Sequence, residues 1–554
     1  MTTVRNSAPE PPEHLQGSRR WWALGVLSLG LAMIVMDGTI VAVSLPTIID
    51  DLHLDLTDGQ WINSLYAIVL AALLLTAAAL GDRFGRRNIF IIGVALFIGG
   101  STWAALSGSA ELLISARVLQ GIGGACILPS TLATVSDTFR GKARAAAFGV
   151  WGAVISGAAA LGPLLGGWLT SSFSWEWIFW VNVPVGLVLI VAAFIVVPET
   201  RSPVQRRGFD VDGLLLSVIG FGLLVFAIIE STTLGWWKPI GDLHILGFTW
   251  SRDMSISIVP VALLISIVAL VLFMFWERHR AQNQRAALLD LNLFFIPTFS
   301  WGNVAAMMIA IGEFGLIFVL PLYLINAVGL GTMTAGYVLA AMAAGAFFSG
   351  AMARHVAAMI GAAGTVLVGV LLEFIGVITL GLTIHANSSV WMIAGILLIY
   401  GTGLGLASAQ LTSTVLRDIP LDASGQGSAT QSTVRQIGSA FGAAIMGSVL
   451  SIGLGHFLTS LSGPAGAMAE ATRSSAGGVI TALREHGGEE AVVRALSDGF
   501  ADATRWTLYA TSIFLFLGFA ASVAVWFASR KAPEDPIADD EDAPEPDPVP
   551  ATVS

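Results

Sequence analysis

The feature that most constrains this chain is a succession of long apolar segments, each able to cross a bilayer as a helix. A bilayer-crossing helix needs roughly 20 mainly apolar residues, and the sequence has fourteen such segments. They begin near Trp21, Thr57, Asn88, Glu111, Arg144, Glu176, Gly213, Ser255, Thr298, Thr334, Gly361, Val390, Gly427 and Arg505. The apolar runs are continuous rather than alternating, which favours helices over a membrane barrel. We therefore expect an all-α membrane protein with 14 transmembrane helices.

Composition decides which classes of protein are excluded. The chain has 554 residues, of which 55% are hydrophobic and 12% charged, whereas a typical soluble domain carries about 25% charged residues. Too few charges remain to cover the surface of a soluble protein of this size, so a soluble enzyme is excluded. The chain has one cysteine, Cys126, and no Cys/His cluster at metal-ligand spacing. Neither a metal site nor a cofactor is expected.

The formal net charge of −10 is unevenly distributed along the chain. Residues 531–554 hold eight acidic residues against one lysine, so the rest of the chain is close to neutral. A near-neutral apolar chain offers no basic surface for nucleic acid. Segment 531–554 is also rich in proline, and we expect it to be a disordered acidic cytoplasmic tail.

The placement of lysine and arginine predicts the orientation. If the N-terminus is cytoplasmic, the inside segments carry 19 of the 27 basic residues and the outside segments carry six. The other two, Arg117 and Arg435, fall within spans. This bias follows the positive-inside rule and requires an even number of spans. We expect both termini in the cytoplasm and, from the arginine-rich composition, a multi-pass protein of the bacterial plasma (inner) membrane.

The spans fall into two blocks of six with two extra helices between them. Basic linkers after residue 200 and before residue 298 separate the extra helices from the two blocks. The expected domains are a cytoplasmic N-terminal tail (1–20), a six-helix bundle (21–200), a linker with two extra transmembrane helices (201–298), a second six-helix bundle (299–530) and the acidic tail (531–554). Within the second bundle, residues 456–504 are expected to form an outside loop with an amphipathic helix.

The two blocks also echo each other in sequence. In span one, Asp37 lies nine residues before Pro46, and in span nine, Glu313 lies eight residues before Pro321. Internal duplication is how secondary transporters are built, with the binding site between the halves. The echo therefore predicts two pseudo-symmetric bundles around a central site.

The loop after span two combines one acid with glycines and three arginines. A tight glycine turn at the cytoplasmic face can hold the acid against helix ends and arginines, and such a latch would favour one orientation of the two bundles. The alternative is a basic loop that only sets the topology. The candidate latch residues are Asp82, Arg83, Gly85, Arg86 and Arg87.

Spans four and five carry residues that are unusual in membrane helices. Span four contains Arg117, and because a guanidinium at a helix centre costs at least ~2.5 kcal/mol, we expect it to face a polar cavity or a partner. Span five contains Gly162, Pro163, Gly166 and Gly167. Proline removes a backbone hydrogen bond, and glycines permit bending or close helix contact. Both a flexible helix and plain packing remain open.

Together these segments resemble the signatures of the major facilitator superfamily, specifically its fourteen-helix drug:proton antiporters. The resembling segments are Asp37–Pro46, Gly81–Arg87, Arg117–Gly124, Gly162–Gly167 and Trp175–Pro184. The resemblance covers residues 21–530 and implies two bundles that rock around a central cavity and exchange protons for an exported drug. Departures from the family pattern leave the cargo open; they occur at Ala42, Ser44, Ala79, Ala158 and Glu176.

Three acids lie deep in their spans. Asp37, Glu313 and Glu373 are about 12 to 15 residues into their helices, which at ~1.5 Å per residue is near mid-bilayer. An isolated carboxylate there is costly, so these acids and Arg117 are the candidate proton-coupling and cargo-cavity residues. The alternative is a structural contact between helices, and for Glu230, near an outer end, simple access to the interface. Three deep acids against one deep arginine favour a cationic cargo.

We predict a proton-coupled efflux antiporter for lipophilic drugs or antibiotics, with no catalytic residues. Its expected partners are the lipid bilayer, protons and a small lipophilic molecule, and the sequence leaves the oligomeric state open. An uptake symporter or a single-metabolite exporter of the same fold is the nearest alternative. A membrane enzyme or receptor is more remote, because no His/Asp/Glu cluster with catalytic spacing lies at a membrane face.

Overall fold

The computed structural model describes residues 18–139, 141–201, 210–245, 248–283, 285, 288–289, 291–420 and 423–531. Over these ranges the chain is almost entirely helical, with one short two-stranded hairpin. The predicted acidic tail beyond Lys531 and the first 17 residues lie outside the described residues.

The first seven helices pack together and are called the first half below. Asp55 caps α2, because its carboxylate accepts from the backbone N–H of Asp58 at 2.7 Å. At the other end of α2, Gly85 has a φ of 107°, which favours glycine, and the chain turns directly into α3. The bounds are α1 Arg19–Asp51, α2 Leu56–Phe84, α3 Arg86–Ala105, α4 Ala110–Thr138, α5 Gly141–Ser172, α6 Trp177–Trp180 and α7 Asn182–Val196.

A pair of helices with a hairpin between them follows the first half. These elements are α8 Val211–Leu234, β1 Leu243–Ile245, β2 Phe248–Trp250 and α9 Ile258–Gln282. The strands are antiparallel, with Leu243 opposite Trp250. The sequence analysis missed this hairpin, because strands of three residues are too short to produce a recognisable alternating pattern.

The second half consists of α10 to α14 and α18. A short 3₁₀ helix, Leu291–Phe295, precedes it. Pro321 lies inside α10, which continues as a five-residue π-helical turn, Tyr323–Ala327. The bounds are α10 Pro297–Leu322, α11 Thr332–Ile360, α12 Ala362–Thr383, α13 Val390–Val415, α14 Ser424–Thr459, α15 Gly463–Ala467, α16 Ala469–Ser474, α17 Gly478–Glu485 and α18 Glu490–Lys531.

The predicted all-helical membrane fold is confirmed. In the described residues, 13 spans are long and apolar enough to cross a membrane, with α6 and α7 counted as one. The 32-residue α5 is also long enough, and some of its side chains lie outside the described set. Each of the fourteen predicted spans thus corresponds to a helix. The predicted outside loop, 456–504, is shorter and more helical than expected, because α14 runs to Thr459 and α18 already begins at Glu490.

The hydrophobic core shows where the two halves meet. We call the end of the bundle that holds the α2–α3 turn the basic face, and the end that holds α15 to α17 the opposite face. Near the opposite face, one large cluster joins the halves and includes Leu45 and Phe318. Toward the basic face, each half has its own cluster, around Phe90 in the first half and Phe299 in the second. Ala429 of α14 is the exception, since it joins the first-half cluster.

Helix α8 lies at the seam between the halves, because it packs against both α2 and α14. Val225 and Ile229 of α8 share an apolar cluster with Ala67 and Ala440. At the next residue of α8, Trp61 Nε1 of α2 donates to Glu230 Oε1 at 2.8 Å. Glu230 was expected only to reach the interface, and the structure instead gives it a partner on the first half.

Candidate functional site

The acid of α1 and the arginine of α4 form a buried ion pair in the first half. The side chains of Asp37 and Arg117 are both 0% exposed, and Arg117 Nη1 donates to Asp37 Oδ2. Arg117 Nε also donates to the Ile62 carbonyl at 3.2 Å. Its guanidinium carbon lies over the Tyr66 ring, 4.1 Å from the centroid. This pair connects α1, α2 and α4 at the depth where the sequence predicted isolated charges.

Two amide side chains complete the surroundings of Asp37. Gln120 Nε2 and Asn182 Nδ2 donate to Asp37 Oδ1 at 3.0 and 3.2 Å. The same two amides donate to the Ser101 hydroxyl at 2.8 and 3.2 Å, and Gln120 Oε1 accepts from Arg117 at 2.8 Å. A buried ion pair is tolerated when further hydrogen bonds satisfy its remaining atoms, and here both carboxylate oxygens have donors. Sequence analysis identified Asp37 and Arg117 but not the roles of Ser101 and Asn182.

Glycines bring these helices close enough for the network to form. A Cβ on Gly123 of α4 would lie 2.6 Å from the Phe97 backbone nitrogen, and one on Gly100 of α3 would lie 2.8 Å from the Gln120 nitrogen. Only glycine allows α3 and α4 to approach this closely. The close approach is what places Ser101 within reach of Gln120.

The second half has a different ion pair, between α10 and α14. Arg435 Nη2 lies 3.2 Å from Glu313 Oε2, and the side-chain exposures are 30% for Arg435 and 8% for Glu313. The sequence analysis placed Arg435 within a span but gave it no role. Its occurrence in a span, as for Arg117, was the available signal. The deep charges are therefore three acids and two arginines rather than three and one.

The third deep acid has no hydrogen-bond partner among the described residues. Glu373 of α12 is 0% exposed, and neither of its carboxyl oxygens is bonded. The hydroxyl of Tyr400 on α13 is likewise buried and unbonded. Both groups lie within electrostatic range of Glu313. Glu373 is thus brought near the Glu313–Arg435 pair, while Asp37 belongs to the separate network of the first half.

The candidate residues of span five lie at helix contacts. A Cβ on Gly162 would lie 1.9 Å from Thr39 Oγ1, and one on Gly166 would lie 2.8 Å from the Ile40 carbonyl oxygen, so α5 packs directly on α1. On the other side of α5, Gly167 and Pro163 face Gly336 of α11. These four residues therefore let α5 fit between the halves. This geometry favours the packing interpretation without excluding bending.

The candidate latch residues take part in two sets of ion pairs at the basic face. Arg86 Nη2 lies 2.8 Å from Asp82 Oδ1, and Arg86 Nη1 pairs with Asp137 at the end of α4. Arg87 Nε lies 3.7 Å from Glu199 Oε2 beyond α7. A Cβ on Gly85 would collide with the Glu199 carboxylate. Arg83 is exposed and lies over the neighbouring Phe84 ring rather than in an ion pair of the described set.

All of these latch partners belong to the first half. Asp137 and Glu199 were missed, because each is a single acid near a helix end with no distinguishing sequence pattern. These ion pairs connect α2, α3, α4 and the end of α7 to one another, and a role in the orientation of the two halves stays a prediction.

A small cavity of about 40 Å³ lies between the halves, next to the first-half ion pair. Its wall is formed by α1, α2 and α4 from one side and by α10 and α14 from the other. Among the described residues, no group of three or more His, Cys, Asp or Glu side chains could hold a metal ion. The cavity is where the two halves could jointly enclose a small molecule.

Contacts across the seam close this cavity toward the opposite face. Gln60 Nε2 donates to the Ala444 carbonyl at 3.0 Å, and Ser64 Oγ donates to the Ala440 carbonyl at 3.1 Å. Within the second half, Arg484 of α17 donates to the carbonyl of Ala327 at 2.6 Å, at the end of the π-helical turn. With separate cores toward the basic face and a shared core here, the arrangement is sealed at one end.

The sequence also matches a known protein family. The family profile described as Major Facilitator Superfamily matches residues 27–443 of this chain. The matched range runs from α1 into α14 and contains every candidate residue described above.

Curated relatives and solved structures are also similar. The tetracenomycin C resistance and export protein of Streptomyces glaucescens is 30% identical over 459 residues, which are 82% of this chain and 81% of the relative. The multidrug efflux pump LfrA of Mycolicibacterium smegmatis is 31% identical over 83% of this chain and 86% of its own. A bacterial homolog to the human lysosomal transporter Spinster is similar in fold, with a TM-score of 0.59 at 20% identity, over 93% of this chain and 98% of that one.

Proposed function

The chain belongs to the major facilitator superfamily, and from this premise we propose that it is a proton-driven exporter of lipophilic drugs or antibiotics. The observation that carries the proposal is a cavity between the halves, closed toward the opposite face, together with buried ionisable groups in both halves. Similar proteins named for multidrug efflux and for tetracenomycin C resistance and export support the direction of transport.

The proposed coupling starts from the buried pair in the first half. When Asp37 takes up a proton, Arg117 loses its counter-charge while it remains buried. An uncompensated buried charge costs about 3–5 kcal/mol, so protonation destabilises the arrangement that the ion pair stabilises. The α1–α4 contact must then change, and the two halves are expected to change their orientation with it.

Glu373 supplies the second proton-exchanging group of the proposal. A fully buried carboxyl with no partner favours its neutral form, because a lone carboxylate in an apolar interior is very costly. Movement of Glu373 toward Arg435 or toward water would favour release of that proton. The cycle thus has one acid that is paired in this arrangement and one that is not.

The orientation is part of the same proposal. We place the basic face and both termini in the cytoplasm of a bacterium, because most of the arginines and lysines outside the spans belong to that face. Cargo would then enter from the cytoplasm between the separate cores and leave after the seam at the opposite face opens.

Inverted membrane vesicles provide the test. Vesicles that contain the protein should accumulate a fluorescent lipophilic dye when a proton gradient, acidic inside, is imposed, and a protonophore should abolish the accumulation. Asp37→Asn should remove it, whereas Asp50→Asn, an exposed acid at the end of the same helix, is the matched control and should leave it unchanged. Gradient-driven dye loss from inverted vesicles would instead identify an uptake transporter.

A further inference from the structure

The wall of the inter-half cavity carries a specific chemical pattern. We propose that this cavity is the centre of the cargo site and selects aromatic molecules that are neutral or anionic and carry oxygen acceptors, rather than cations. The proposal rests on the proposed export function and deepens it.

The first observation is the charge of the wall. Among the described residues that line the cavity, Arg117 is the one ionised side chain, and none is a carboxylate. The other polar side chains on the wall are Asn63, Tyr66, Gln436 and Ser439. Because Asp37 already balances the charge of Arg117, a cation in this space would find no carboxylate on the described wall to pair with.

The second observation is that donors remain unused at the wall. Arg117 engages Nη1 and Nε in hydrogen bonds, but its Nη2 is buried and has no partner among the described residues. The hydroxyl of Tyr66 is also buried and has no partner in the described part of the chain. A buried donor left unsatisfied costs about 1–3 kcal/mol. A carbonyl, phenolate or carboxylate oxygen of the cargo would satisfy both groups.

The third observation is that the deep acids are engaged elsewhere. Asp37 Oδ1 accepts from Gln120 and Asn182, and Asp37 Oδ2 accepts from Arg117. Glu313 is paired with Arg435. The sequence shows three deep acids and so suggests that their carboxylates could bind a cation. In the structure, Asp37 and Glu313 instead bind their own arginine partners.

The remaining wall is apolar and aromatic. Phe314 and Phe318 of α10 line the cavity opposite Tyr66 and Arg117. Aromatic rings pack favourably in offset or edge-to-face geometry, and a guanidinium stacks on aromatic faces. A flat aromatic cargo with peripheral oxygens fits this combination of rings and donors.

The cavity must widen to admit such a cargo. At about 40 Å³ it has room for roughly three water molecules, whereas pockets for drug-sized ligands occupy about 300–1,000 Å³. The separate cores toward the basic face allow the walls to part there. Since the ion pair and the free donors all belong to the first half and the phenylalanine rings to the second, parting enlarges the site while the donors stay together on one wall and the rings on the other.

Three probes that share one ring system but differ in charge test the proposal by their binding. The purified full chain in lipid nanodiscs would be titrated with hydroxyanthraquinone, anthraquinone carboxylate and a trimethylammonio-methyl anthraquinone, with empty nanodiscs as the background. Neutral and anionic probes should bind at least about tenfold more tightly than the cation, since their oxygens satisfy buried donors worth about 1–3 kcal/mol each and ~1.4 kcal/mol corresponds to tenfold. Equal or tighter binding of the cation would overturn the proposal, as would no binding of any probe.

Variants of the wall make the test specific. Gln436→Glu places a carboxylate on the cavity and should shift the preference toward the cation by about tenfold or more. Gln410→Glu adds the same charge on α13 outside the cavity wall and should leave the preference unchanged. Tyr66→Phe removes one free hydroxyl and should weaken the binding of the neutral and anionic probes, but not that of the cationic probe. Equal effects of Gln436→Glu and Gln410→Glu would contradict the assignment.

The binding experiment can fail independently of the vesicle experiment that tests the export proposal. If the binding order holds but vesicles show no proton-driven export, the cargo class stands and the export function fails. If export is proton-driven but the cationic probe is preferred, the export function stands and the cargo class fails.

Discussion

The two halves of the molecule bury their acids in opposite ways. In the first half, Asp37 is inaccessible and receives hydrogen bonds from three side chains, one of them the guanidinium of Arg117. In the second half, Glu313 shares a partly exposed ion pair with Arg435, and Glu373 is buried with no partner among the described residues. One half holds its buried charge in a closed network, and the other leaves one buried carboxyl outside any hydrogen-bond network of the described residues.

This difference distinguishes two roles of a buried acid, one structural and one in proton exchange, which the sequence alone does not distinguish. A fully paired acid stabilises one arrangement of helices, so changing its protonation changes conformation. An unpaired buried acid has little structural function, so its protonation can follow access to water. We infer that the first half responds to the proton and that the second half stores one.

The largest effect is expected from Asp37→Asn. The substitution leaves Arg117 buried without a counter-charge, so we expect a loss of about 3–5 kcal/mol in unfolding free energy and no measurable proton-driven export. Thermal unfolding of the purified protein and dye accumulation in inverted vesicles measure the two effects. Unchanged stability and export would show that the closed network is not what sets the conformation.

A double variant separates stability from transport. Asp37→Asn combined with Arg117→Gln removes both charges, and because replacing both members of a buried pair is tolerated better than removing one, most of the stability should return. Export should not return, since no carboxyl is left in the buried network of the first half. Recovery of export in the double variant would assign coupling to the second half alone.

Glu373→Gln should affect stability and transport differently, with little change in unfolding free energy and a large loss of export. The amide resembles the neutral acid in shape, and Glu373 has no described hydrogen bond to lose, so unfolding free energy should change by less than about 1 kcal/mol. Export should nevertheless fall by about tenfold or more, because an intramembrane acid of this kind is a functional group by default.

Glu313→Gln is the matched control on the same half. It keeps a hydrogen-bonding side chain for Arg435 and should reduce export less than Glu373→Gln does. A loss of stability in Glu373→Gln as large as that of Asp37→Asn would remove the contrast between the halves.

Part of this contrast could be predicted from sequence and part could not. The fourteen spans, the buried depth of Asp37 and the need of Arg117 for a partner followed from apolar length and from the cost of intramembrane charge. Neither argument says which charges meet. Asp37 and Arg117 are 80 residues apart, and Glu313 and Arg435 are 122 apart, so their pairing depends on helix packing.

The same limit applies to residues with ordinary local sequence. Ser101 joins the buried network only because glycines bring α3 and α4 together, and Asn182 joins it from the start of α7. Asp137 and Glu199 join the latch only because α4 and α7 end near Arg86 and Arg87. Single polar residues near helix ends are common, so nothing in their spacing identified them in advance.

A smaller effect is expected at the basic face, from Asp82→Asn. The Asp82 side chain is 44% exposed and Arg86 keeps Asp137 as a second partner, so the lost ion pair is worth about 0.2–1 kcal/mol. Export should slow by at most about fivefold, since ~1.4 kcal/mol corresponds to tenfold. Equilibrium dye binding should be unchanged, because the latch is remote from the cavity.

A control for this variant lies on the same face. Asp212→Asn changes an exposed acid in the first turn of α8 and should leave the transport rate unaffected. If Asp82→Asn abolished dye binding in the purified protein, the latch would be required for folding of the first half rather than for its movement.

The smallest effect is expected from removing the acidic tail. The tail follows the second half and contributes to neither set of buried acids. After Lys531 the sequence has eight acids and no large aromatic residue, so it cannot bury a core of its own. Arg530 must stay, because its guanidinium carbon lies 3.7 Å from the centroid of the Trp526 ring and holds the end of α18. A chain truncated after Lys531 should therefore match the full chain in expression, thermal stability and vesicle export, and a well-expressed truncation that loses export would assign a regulatory role to the tail.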